Sequence, residues 1–225
     1  MKMNELKIQC LYDLNHTIAK DLMESYTYPW EVLAHIEDTI LQIGENLPKD
    51  EYVQYENHVW IHKTATVFSS AYLGKNVIVG KNAQIRHCAF VRENAIIGEG
   101  AVVGNSTELK NVILFDSVEV PHYNYVGDSI LGYKAHMGAG SITSNVRADK
   151  GIVKVHAEDG DMDTGRKKVG AMLGDFAEIG CGSVLNPGTV IGRNSNVYPL
   201  SSVRICVDEH SIYKHQGEIA EKHGG

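Results

Sequence analysis

From Ile61 onward the apolar positions recur every six residues. Ile61, Val67, Leu73, Val79, Ile85, Val91, Ile97, Val103 and Leu109 are all aliphatic. Four positions after each stands Ala65, Ala71, Val77, Ala83, Ala89, Ala95, Ala101, Thr107 or Ile113, mostly small residues. Six is neither the helical period nor the two-residue alternation of a half-buried strand; it is the period of a parallel β-helix. Each hexad supplies a short strand and a corner, with the aliphatic side chain pointing in and the small residue filling the tighter inner corner. The count slips after Leu109, since Tyr125 stands 16 residues on where three hexads need 18. It returns at Tyr125, Leu131 and Met137 and is interrupted over residues 143–172. It then resumes at Leu173, Ile179, Leu185, Ile191, Val197 and Val203.

The first sixty residues have a different period. Leu11, Leu14, Ile18 and Leu22 fall at helical spacing. A second helix is expected to start at Pro29 and carry Trp30, Leu33, Ile36, Ile40 and Ile43 on one face, with Gly44 and Pro48 stopping it. The expected organisation is a helical cap over residues 1–59, a mainly β parallel β-helix over 60–208 with a loop excursion at 143–172, and a tail over 209–225. The cap reads as a packing element, with a partner-binding module as the alternative. It contains no GxGxxG or Walker motif.

Composition narrows the possible functions. Hydrophobic residues make up 43% and charged residues 22%, enough for a core. The formal net charge of −7 argues against a general nucleic-acid binder. No apolar run is long enough to span a membrane, and no secretory leader is apparent, so a cytoplasmic protein is expected. Cys10, Cys88, Cys181 and Cys206 are scattered, which reads as free, buried thiols. Of the 22 glycines, nine (74, 80, 98, 104, 132, 138, 174, 180, 192) take the second hexad position. Four more (100, 140, 182, 188) take the fourth, and all 13 read as coil corners.

Three hexads per coil would stack residues 18 apart. That places Arg92 and Lys110 in one column, both at a position glycine usually fills. Two stacked like charges repel unless an anion such as a phosphate sits against them. The register is lost around Glu119–Tyr125, where His122 is a candidate general base. The excursion reads as a hairpin with a solvated acidic turn, Glu158-Asp159-Gly160-Asp161. At its base the run Arg166-Lys167-Lys168 re-enters the coil where an anion could be met.

The runs Pro121-His122-Tyr123-Asn124-Tyr125-Val126-Gly127-Asp128 and Met137-Gly138-Ala139-Gly140-Ser141-Ile142-Thr143-Ser144-Asn145 carry a resemblance. They resemble the C-terminal acetyltransferase domain of the bacterial bifunctional N-acetylglucosamine-1-phosphate uridyltransferases and glucosamine-1-phosphate acetyltransferases. That family has His-Leu-x-Tyr-x-Gly-Asp, then Asn-Ile-Gly-Ala-Gly-Thr-Ile-Thr-x-Asn. The likeness covers roughly residues 85–205, and it implies a left-handed parallel β-helix, a homotrimer and acetyl-CoA as co-substrate.

Carried over by the resemblance, His122 is the catalytic base and Glu108 its assisting carboxylate. Arg92 and Lys110 bind the phosphate of an amino-sugar phosphate, with Lys168 as a later phosphate-binding lysine. Tyr125, Asn145 and His136 fall at substrate positions, and Ala139, Cys181 and Pro199 at or near coenzyme positions. The chain departs from the pattern at His136, where the family has Asn, and at Val146, where it has Tyr. It also departs at Cys181 in place of Ser and at Pro199 near an Ala. The family's pyrophosphorylase domain has no counterpart in these 225 residues. No metal is expected for this chemistry. Two alternatives stand beside acetyl transfer. One is a non-catalytic β-helical subunit binding a sugar phosphate or sugar nucleotide. The other is a β-helical carbonic anhydrase, which needs three histidines around zinc; His87 and His122 are candidates, but no third histidine follows His122 at short spacing.

Overall fold

The computed structural model describes residues 1–214 and 219–221. The chain is a parallel β-helix with a short helical cap. Three inner columns of aliphatic side chains make its core. In one, Ile61, Val79, Ile97, Leu114, Leu131, Leu173, Ile191 and Val207 pair in register from coil to coil. Its members from Val79 onward are buried, so each coil rests on the next through apolar contact as well as backbone ladders. The strands form a twelve-stranded and a nine-stranded sheet that wrap around the same interior.

The backbone keeps count at the corners. One residue per hexad has a left-handed conformation: Asn76, Asn82, Cys88, Asn94, Gly100 and Ser106, then Asn111, Ser117, Tyr123, Asp128, Lys134 and Gly140. Asparagine recurs here because its side chain tolerates that region better than most. The steps are of six residues except from Ser106 to Asn111 and from Tyr123 to Asp128, which are of five. Between Leu109 and Leu131 the chain is thus short by two single deletions. After the first, Val126, not Tyr125, stands opposite Leu109 in the inner column, and Tyr125 stands opposite Glu108, half-buried.

The glycines divide by cause. Those at the second hexad position have ordinary angles but no room: a Cβ on Gly104 would overlap the backbone of Pro121 in the next coil. Those at the fourth position supply the left-handed conformation, as Gly182 does at φ +67°.

The cap is more broken than its periodicity suggests. Its α-helices are α1 (Ile8–Leu11), α2 (Lys20–Glu24), α3 (Pro29–Val32) and α4 (Ile36–Asn46). The stripe Leu11, Leu14, Ile18, Leu22 is not one helix. Asp13 takes an extended conformation and its carboxylate accepts from Asn15 N at 3.1 Å, which diverts the chain into a 3-10 turn and leaves Ile18 exposed. The helix expected from Pro29 to Gly44 breaks between Val32 and Ile36, at His35. α4 buries Ile36, Ile40 and Gly44, four residues apart, and seats Gly44 against the Trp60 ring.

The coil begins earlier and ends later than the period alone indicates. Strand Tyr52–Tyr55 pairs antiparallel with Val59–His62 at one end. At the other, Ser211–Tyr213 joins the coil beside Asn196–Val197 and is covered by antiparallel Ile219–Glu221. The excursion folds as a hairpin, Lys154–Ala157 against Gly160–Asp163, and buries Val153, Val155 and Val169. Its acidic turn is not merely solvated. Asp159 accepts from Met3 N at 2.9 Å and Glu158 N donates to Met1 O at 2.9 Å, so the turn holds the start of the chain. The cysteines are free, but only Cys206 is buried, which pushes its thiol up to about 12; Cys88 and Cys181 are exposed. Among the described residues, no helix is long and apolar enough to cross a membrane.

Candidate functional site

The two five-residue steps bring three polar side chains together around one buried carboxylate, beside Asn145. Lys110 and Asn111 come from the first shortened corner, and Asp128 from the second. Asp128 is 1% exposed. Its carboxylate accepts from Lys110 Nζ at 3.1 and 3.4 Å, from Asn111 Nδ2 at 3.0 Å and from Asn145 Nδ2 at 2.6 Å. Asn145 Nδ2 also donates to Tyr125 Oη at 3.3 Å, and Asn111 Nδ2 to the Leu33 carbonyl of the cap at 3.1 Å. Burial, with Asp128 and Glu108 nearby, raises the Tyr125 phenol above its ordinary pKa, so this hydroxyl is neutral and able to donate.

The single column of Arg92 and Lys110 does not form. A bulge at Arg92 shifts the register, so Lys110 stands opposite Glu93 on one side and Gly127 on the other. Each cation has its own carboxylate: Arg92 pairs with Glu108 at 3.3 Å, and Lys110 with Asp128. The anion that the column argument required is supplied by the protein.

Lys110 nevertheless opens onto a cleft of about 510 Å³ between the cap and the base of the excursion, also lined by Asn111, Asp128 and Lys168. Arg92 is not part of its lining. Val146 bridges to Lys168, which fixes the lysine's backbone beside Asn145. Of the predicted substrate residues, Lys110, Tyr125, Asn145 and Lys168 therefore gather in one region. His136 does not join them. It lies on the nine-stranded sheet, between Glu119 and Glu178 in the ladder, and its Nδ1 is 2.9 Å from Glu178 Oε2. That hydrogen bond holds the imidazole above its ordinary pKa.

A second feature is an exposed corner. Backbone bonds run from Gly140 N to His122 O, from Gly182 N to Ala139 O and from Leu200 N to Cys181 O. They stack His122, Ala139, Cys181 and Pro199 in one column, all exposed. Among the described residues, the N–H groups of Ala139 and Cys181 have no acceptor within the chain, whereas those of Gly138 and Gly140 are taken by Ile179 O and His122 O. His122 is held by its backbone, its N donating to Asn124 Oδ1 at 3.0 Å. Glu108 does not touch it, since that carboxylate is turned to Arg92.

His87 lies in the same column as His122 with Asn105 between them, roughly 10 Å away at the strand spacing. Its Nδ1 is 3.2 Å from Ser70 Oγ. Among the described residues, no group of three His, Cys, Asp or Glu side chains is placed to hold a metal ion.

Sequence reasoning passed over Asp128 and Asn111 as site residues. Both occupy the left-handed corner position and each ends a five-residue step, a feature of the backbone that the six-residue count does not carry.

No family model matches the chain. It is 32% identical over 109 residues to a bifunctional sugar-1-phosphate nucleotidylyltransferase/acetyltransferase of Sulfurisphaera tokodaii, covering 48% of this chain and 27% of that protein. It is 35% identical over 111 residues to the bifunctional protein GlmU of Methanococcus maripaludis, covering 49% of this chain and 27% of that one. The chain thus matches about a quarter of the length of these curated relatives. Among solved structures, a hexapeptide transferase family protein from Anaplasma phagocytophilum overlaps at a TM-score of 0.39 and 17% identity, over 77% of this chain and 84% of that one. That overlap is too loose to transfer a site. Over about half its length, the chain is a sequence relative of the GlmU-type bifunctional nucleotidylyltransferase/acetyltransferases, to whose acetyltransferase domain its repeats and motifs correspond.

Proposed function

We propose that the chain transfers an acetyl group from acetyl-CoA to the amine of an amino-sugar phosphate, working as a homotrimer. The observation that carries this reading is the cluster of Lys110, Tyr125 and Asn145 around the buried Asp128, with Lys110 and Asp128 lining a cationic cleft and Tyr125 three residues along the chain from His122. The relative named as a bifunctional sugar-1-phosphate nucleotidylyltransferase/acetyltransferase supports it.

In this reading the acceptor's phosphate meets Lys110 and Lys168, and Tyr125 and Asn145 face the sugar. His122 takes the proton from the attacking amine. The amine attacks the thioester carbonyl, and the N–H of Ala139 donates to the oxygen as it gains charge. The tetrahedral intermediate collapses with the CoA thiolate as leaving group, and the thiolate is protonated on departure. The exposed column of Ala139, Cys181 and Pro199 receives the coenzyme. Glu108 acts as the partner of Arg92 rather than as a support for His122.

The test is thiol release from acetyl-CoA in the presence of amino-sugar 1-phosphates. Acceptor-dependent release that falls by at least about a hundredfold in His122→Ala supports the reading. Release untouched by that substitution contradicts it. A non-catalytic subunit would instead show a melting temperature raised by a sugar phosphate and unmoved by acetyl-CoA.

A further inference from the structure

The cleft has a second wall that the coil does not provide. Leu33, Ala34 and Glu37 of the cap face it from one side, and Arg166, Lys167 and Lys168 from the other. Glu37 is already engaged: Asn76 Nδ2 donates to it at 3.0 Å and Asn94 Nδ2 at 3.4 Å, with Lys75 Nζ at 4.0 Å. Asp128 is occupied by Lys110, Asn111 and Asn145. Neither carboxylate is left for the three cations opposite. Among the described residues, Arg166, Lys167 and Lys168 have no ion-pair partner.

A second, independent observation points the same way. Arg166 Nε is buried and has no hydrogen-bond partner in the chain. A buried cationic N–H without an acceptor is costly, and such groups are rare in folded proteins. The backbone around it is pinned. Val153 N donates to Arg166 O at 2.8 Å, and Val169 N to Asn145 O at 3.1 Å. The three cations are thus held beside one another at a fixed place, although the chain carries a net charge of −7.

We propose that Arg166 and Lys167 are phosphoanion-binding residues and that the helical cap closes the acceptor site over them. This rests on reading the chain as a transferase for a phosphorylated amino sugar, and it adds two ligands and a wall to that site. The acceptor's phosphate lies between the cap and the base of the excursion, taking its hydrogen bonds from the Arg166 guanidinium and the Lys167 ammonium as well as from Lys168. The cap then selects acceptors: whatever the phosphate carries must fit against Leu33 and Ala34.

The experiment uses the full chain, with inorganic phosphate and glucosamine 1-phosphate as probes in calorimetric titration at low salt. The double variant Arg166→Gln/Lys167→Gln is expected to bind either probe at least about tenfold more weakly than the wild type. Ala34→Glu, at an exposed cap position, places a carboxylate in the cleft from the other wall and is expected to weaken binding by a similar factor without lowering the melting temperature. Lys150→Gln, outside the cleft, leaves binding unchanged. Phosphate affinity unaltered in either the double variant or Ala34→Glu overturns the proposal. Thiol release is scored separately. Binding that follows these variants while no acceptor releases CoA leaves the cleft standing and removes the transferase reading. Release whose acceptor KM ignores both variants removes the cleft and leaves the transferase.

Discussion

Asp128 shows how much a single residue can organise here. It combines a left-handed backbone, near-complete burial and three side-chain donors. Replacing it by Asn keeps the volume but leaves the part-buried Lys110 charge without its counterion. The expected loss is about 2 kcal/mol, read from denaturant midpoints. Gly104→Ala would force a methyl group into the backbone of Pro121, and about 2 kcal/mol should be lost in the same measurement. His136 carries a pH-dependent contribution. Its pKa is raised in the folded chain by the Glu178 hydrogen bond. The stabilisation is therefore complete below the unfolded value of about 6.5 and disappears as pH rises through the higher folded value. Glu178→Gln should accordingly destabilise the protein more at about pH 6 than at about pH 9 in thermal melts. An equal effect at both would show that the pair does not titrate with folding.

At the scale of elements, the six-residue period was legible because each aliphatic position stacks on its own kind in the next coil, leaving a repeat in the sequence. The five-residue steps were less so. Tyr125 and Val126 are both apolar, so either could continue the series, and only the left-handed corners show that Val126 does. This also explains why the phosphate column was misread: a one-residue bulge at Arg92 is invisible to a count of 18 but moves Lys110 opposite Glu93. The helices of the cap were drawn too long because periodicity does not register where Asp13 or His35 leaves helical geometry. α4 packs on the coil through Ile36, Ile40 and Gly44, and Glu37 adds a polar tie, its carboxylate spanning Asn76 and Asn94. Glu37→Ala should cost about 1 kcal/mol and raise hydrogen exchange in α4 ahead of the coil strands. Exchange that rises equally in both would mean the cap and coil unfold as one unit.

Across the whole molecule, a chain with net negative charge builds a fixed cationic cleft against a helical cap, with an exposed histidine column at a neighbouring corner. The motif residues His122, Tyr125 and Asn145 were found in the sequence because they sit in short contiguous runs. The cap's part in the cleft was not, because Leu33 and Lys110 are far apart in the chain and only folding joins them through Asn111. Acetyl transfer is the central claim, and the most direct measurement is mass spectrometry of an amino-sugar 1-phosphate incubated with the full chain and acetyl-CoA, with CoA thiol titrated in the same tube. The account predicts acetylation on the amine, one CoA released per sugar acetylated, and loss of both in His122→Ala. No acetylated sugar and no thiol with any acceptor of the panel, at high enzyme concentration, would contradict it.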